Sequence, residues 1–121
     1  MEQETNTIAV IQTIGWIFTV FEPHIYEQTE AETPGHLNTK LQKQLLNLEK
    51  DPGECFSTEK INELTETIRS FLTVSEKIQN AESYEKHFYQ HLRLQIKKRK
   101  RAKKIWQTAN ELLLSGSLAN N

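Results

Sequence analysis

From Glu54 to Ser115 the chain contains neither proline nor glycine. So long a run without a turn-forming residue points to helix, because strands rarely continue beyond about ten residues. The hydrophobic rhythm agrees: Ile61, Leu64, Ile68, Phe71, Ser75 and Ile78 recur at steps of three and four, with Leu72 and Val74 broadening the stripe. Ser57 or Thr58 can cap the start, and Glu59 faces the exposed amides of the first turn. The weakest helical stretch is Gln79-Asn80-Ala81-Glu82-Ser83, where Asn80 or Ser83 could cap a new helix. The run is therefore either a hairpin turning at 79–83 or one rod of roughly 55 residues, about 80 Å long, that must dimerise to bury its stripe. Ordinary helix lengths favour the hairpin.

Four glycines and three prolines in 121 residues are too few for a small β sandwich, which needs a turn about every ten residues. With 36% hydrophobic and 26% charged residues, the chain is too apolar to stay disordered. Its length suits one domain spanning 1–121, and the expected fold is all-α, a bundle of about four helices.

Upstream, Thr7 to Glu22 reads as a helix. Ile8, Ile11, Ile14 or Gly15, Phe18, Phe21 and Ile25 form one stripe, while Val10, Trp16, Ile17 and Val20 make the other flank apolar. Its β-branched content argues for strand, but its length decides for helix. An element apolar on several sides needs several neighbours, from its own bundle or a second subunit. The 14 residues from Ile8 to Phe21 fall short of a bilayer span, and Met1-Glu2-Gln3-Glu4 lacks the positive flank of a signal peptide. No transmembrane segment is expected, and the location would be cytoplasmic, or nuclear in a eukaryote. Pro23 stops or kinks the run, and residues 23–36 read as a linker, as do 51–57 around Asp51-Pro52-Gly53. Between them Leu37, Leu41, Leu45 and Leu48 mark an amphipathic helix from Leu37 to Lys50.

The net charge of −1 conceals a division. Residues 1–92 hold 7 Lys or Arg against 15 Asp or Glu, a net of −8, and residues 93–121 hold 8 against 1, a net of +7. Most of the positive charge lies in a basic helical segment at 93–104: Arg93, Lys97, Lys98, Arg99, Lys100, Arg101, Lys103 and Lys104. Before it come Tyr84, Phe88, Leu92 and Ile96, with Tyr89 on the flank. After it Ile105, Ala109, Leu112 and Leu113 resume an apolar face beside Trp106, until Ser115-Gly116-Ser117 ends the helix. Between Lys97 and Lys104 only Ala102 suits a core, unless the stems of Lys98 or Arg99 lie along it. Arg93, Lys97, Arg101 and Lys104 fall roughly on one face, which Lys100 and Lys103 extend.

Like charges three or four apart repel, and a polyanion relieves that cost. The leading expectation is a non-catalytic nucleic-acid-binding or regulatory protein whose basic helix meets the phosphates of DNA or RNA. Arg99 and Arg101 are best suited to bidentate contacts. No Asn or Gln is interleaved in the run, so base specificity is not indicated, and no glycine turn marks a helix-turn-helix. The alternative is a protein-protein adaptor, assembly subunit or inhibitor, with the basic helix docking on acidic patches such as Glu27, Glu30, Glu32, Glu63 and Glu66. A solvated charged face is the plainest reading, and a membrane surface is disfavoured because 97–104 has no apolar side. In either leading case the chain is expected as a homo-oligomer or a subunit of a larger complex.

His87 and His91 stand four apart and could hold Zn²⁺ with Glu82, His24 or His36, yet the Glu of a protease helix is missing; two histidines without a metal, near Tyr84, fit better. Cys55 is the sole cysteine and reads as a buried structural thiol. There is no P-loop, dinucleotide fingerprint, Gly-x-Ser-x-Gly turn or calcium loop. No catalytic residue, cofactor or metal is therefore expected, and the chain is not expected to be an enzyme.

Overall fold

The computed structural model of the chain describes residues 2–33, 35–50, 56–80 and 88–119, with side chains described between 8 and 115 of these except at Phe88. Cys55, His87, Tyr84, Glu82 and Ser83, with the expected turn around them, lie outside the described residues. Among the described residues there are five helices and no strand: α1 Glu2–Val20, α2 Pro23–Glu32, α3 Leu37–Lys50, α4 Thr58–Gln79 and α5 Phe88–Ala119.

Cross-helix pairs set the topology. Lys60 meets Glu111 and Ser70 meets Arg101, so a step up α4 matches an equal step down α5. The two are the antiparallel hairpin favoured by helix length, and no rod forms. Along α3 and α4, Gly35 lies beside Gln79 while Glu49 pairs with Arg69, again antiparallel. Phe18 of α1 stacks on Trp106, and Phe21 shares a cleft with Ala102, so α1 runs against α5. Thr13 Oγ1 donates to Gln44 Oε1 at 3.1 Å, joining α1 to α3. The four long helices thus form an up-down-up-down ring in the order α1, α3, α4, α5, and α2 crosses one end against α1 and α5.

Each long helix contributes the stripe its sequence spaces. α3 buries Leu37, Leu41, Leu45 and Leu48, and α4 buries Ile61, Leu64, Ile68 and Phe71. Phe71 is wholly enclosed, with Phe21 edge-on at 5.3 Å and Tyr26 at 6.1 Å between ring centres. In α1 the helical period holds, but the buried face is Val10, Thr13, Ile14 and Ile17, continued by Phe21 just beyond its end, leaving Ile8 and Ile11 in solvent. Gly35, at φ 75°, makes the entry to α3, and a Cβ there would meet the Gln79 amide at 2.5 Å.

Two boundaries differ from the sequence reading. The linker expected at 23–36 is largely α2. Pro23 sits in the first turn, where its missing N–H costs nothing, and the Glu22 carboxylate accepts from the Ile25 N–H at 3.0 Å. The proline therefore starts a helix where it was expected only to interrupt one, and Tyr26 anchors the new helix in the core. At the other end α5 does not stop at Ser115-Gly116-Ser117 but runs on to Ala119. A single glycine in a helix costs only about 1 kcal/mol against alanine, too little to force an end.

Candidate functional site

The buried positions of α5 are Lys98, Ala102, Ile105, Ala109 and Leu112, with Thr108 beside them. Their spacing of three and four places one residue of the basic run, Lys98, in line with the core. Lys98 is 6% exposed. Its ammonium donates to Glu30 Oε2 at 2.7 Å and stands 5.6 Å from the centre of the Phe71 ring. A buried cation of this kind is tolerable only because a carboxylate and a ring face replace its water. Burial, reinforced by the Glu30 charge, also pushes the Tyr26 hydroxyl far above the usual phenol range, with Arg99 acting weakly the other way. Lys98 is accordingly withdrawn from the surface that the sequence assigned to it. It pins α2 to α5 instead.

The other seven expected site residues, Arg93, Lys97, Arg99, Lys100, Arg101, Lys103 and Lys104, are exposed. Among the described residues none of these seven is ion-paired. They do not form one surface. Arg101 lies against α4, its Nε donating to Ser70 Oγ at 2.9 Å. Arg99 turns to the opposite flank, lining a cleft of about 380 Å³ between α2 and α5 with Tyr26, Glu27, Glu30, Ala31 and Gln95. Arg93, Lys97, Lys100 and Lys104 fall at steps of four, three and four. That repeat keeps them in one solvent-facing stripe about 16 Å long. The face drawn from the sequence through Arg101 is therefore better drawn through Lys100.

The register with α4 also explains what surrounds the stripe. Pairs at 60 and 111 and at 70 and 101 set Gln79, the last residue of α4, level with Leu92. The first turn of α5 reaches past the end of its partner helix. Tyr89 is 78% exposed there, Leu92 46% and Ile96 47%. Leu92 and Ile96, read from the sequence as apolar positions in the first turns of this helix with Tyr89 on their flank, face solvent. Ile96 and Ile105 are nine residues apart, about two and a half turns, so one of them must face outward when the other faces in. That phase break is readable in the sequence, but only once Ile105 is known to be the inward residue. On α5, His91 is half-buried, and its Nε2 meets the Gln95 amide at 3.3 Å.

The acidic residues expected as a docking surface are divided between α2 and α4, and two are engaged within the chain: Glu30 by Lys98 and Glu63 by Lys60. Among the described residues no group of three or more His, Cys, Asp or Glu could hold a metal ion. No single helix there is long and apolar enough to cross a membrane; α1 and α2 together have the length, but they are bent by 72°. Fold and site define a small all-α helical bundle with an exposed basic stripe on its last helix. No protein-family model matches the chain, and no curated protein or solved structure matches it either.

Proposed function

We propose that the protein is a non-catalytic nucleic-acid-binding protein that holds the phosphate backbone of DNA or RNA along α5. The observation that carries this reading is the stripe of Arg93, Lys97, Lys100 and Lys104, solvent-facing and without an ion pair among the described residues. An ordinary charged helix face alternates sign at steps of three and four, because opposite charges there attract. This one repeats a single sign for three turns, at a cost that a row of phosphates relieves by releasing its condensed counterions. A run of about 16 Å covers roughly five base-pair rises of a duplex at 3.4 Å each. The stripe itself carries no amide side chain, and the exposed Gln90 and Gln107 stand one turn beyond its two ends, so the contact along it is one of backbone and charge.

The test replaces Arg93, Lys97, Lys100 and Lys104 together by Gln and compares binding of labelled polynucleotides by fluorescence anisotropy, with circular dichroism as the control for folding. The reading expects binding to fall by at least about tenfold while helicity is kept. Equal binding by the variant and the native chain, or no binding by the native chain at low salt, would overturn it.

A further inference from the structure

We infer that the nucleic acid taken by this site is single-stranded, its bases lying on an apolar ridge formed by Tyr89, Leu92 and Ile96. The inference rests on the proposed function for the phosphate contacts and adds what lies beside them. The three residues follow at steps of three and four, so they line one flank of the exposed start of α5, over about 10 Å. Arg93 and Lys97 border them on the side nearer α4, and Lys100 follows Ile96 by one turn on the same outward face. Apolar ridge and cationic stripe therefore run side by side on one helix.

A duplex has no use for such a pairing. It presents phosphates outward and keeps its base faces stacked within, so a Leu and an Ile beside the phosphate row would meet only sugar and water. Inserted into a groove, a ridge with aliphatic Leu92 and Ile96 at two of its three positions would have little to bond to base edges. A single strand differs in exposing the apolar faces of its bases next to the backbone. An exposed aromatic ring and two aliphatic side chains flanked by Arg and Lys suit that chemistry and tolerate any base sequence. The charges also decide among occupants. A second copy of this helix would bring its own seven exposed cations against these, whereas a single strand brings opposite charge and apolar surface together.

The experiment measures binding of a labelled single strand of about 15 nucleotides, and of the matching duplex, to the native chain, to Tyr89→Ala and to Ile96→Gln, with sedimentation of each protein alongside. Both substitutions are at exposed positions and keep good helix formers. The expected result is tighter binding of the single strand than of the duplex, a loss of about tenfold in single-strand affinity in each variant, and unchanged duplex affinity. Duplex bound as well as single strand, with both variants behaving like the native chain, overturns this inference and leaves the phosphate reading standing. Variants that turn a dimer into a monomer without altering single-strand affinity would make the ridge a subunit contact and also overturn it. Failure of the native chain to bind either probe removes the phosphate reading itself.

Discussion

Lys98 reaches from the basic run of α5 to the Glu30 carboxylate of α2 at 2.7 Å. It sits among seven other cations, and by sequence nothing distinguishes it from its neighbours except the possibility that its stem lies along the core. Burial beside Glu30 and Phe71 makes it a structural group whose removal leaves a carboxylate uncompensated in a half-closed setting. We expect Lys98→Met to lower the unfolding free energy by about 2–4 kcal/mol, measured by urea denaturation. Adding Glu30→Leu to that variant should restore most of the loss, because an apolar pair of similar volume fills the same space without a stranded charge. If the double variant is no better than the single one, the ion pair is not what the substitution disturbed. Phe71, enclosed by Phe21, Tyr26 and Lys98, should cost about 3–5 kcal/mol when cut to alanine in the same assay.

At the scale of the helix, α2 shows how a local signal can be read with the wrong sign. Proline interrupts a helix from within but begins one from its first turn, and the deciding partner is the preceding Glu22. Its carboxylate bonds the Ile25 amide at 3.0 Å and the His24 Nδ1 at 3.0 Å. These bonds, His24 first, hold Glu22 below the usual carboxylate range, and the same contact with Glu22 raises His24 above its ordinary value. The Glu22 contribution is therefore present above the usual carboxylate range and fades as pH falls through its lowered value. The His24 contribution is full below the ordinary imidazole value and fades as pH rises through the raised one. An NMR titration should show the His24 midpoint above that of a free imidazole, returning toward it in Glu22→Gln, with faster exchange of the Ile25 amide in the variant. The existence of α1, α3, α4 and α5 was legible because long periodic stripes leave little choice. The phase of α5 was not, since Leu92 with Ile96 and Ile105 with Leu112 are two apolar sets on opposing sides, and only packing against α1 and α4 selects the second. The expected buried thiol at Cys55 and the turn near Ser83 fall on residues the structure does not describe.

For the molecule as a whole, the division of charge takes a more definite form in three dimensions than in one. The ring of four helices packs with few cross-helix ion pairs among the described residues, and Lys98 alone of the basic run is paired to the acidic part of the chain. The other seven cations of residues 93–121 stay exposed and without an ion pair among the described residues. The first turn of α5, left without α4 beside it, carries apolar surface to the same edge of the bundle. The most direct measurement of the account is the slope of log affinity against log salt for a labelled single strand, compared between the native chain and the variant with Gln at 93, 97, 100 and 104. Each phosphate contact on a single strand contributes a slope of about −0.7, so loss of the stripe should make the dependence shallower by about 2–3, while Lys98→Met leaves it unchanged. Equal slopes for the native chain and the stripe variant would contradict the account, for the stripe would then be ordinary solvated charge.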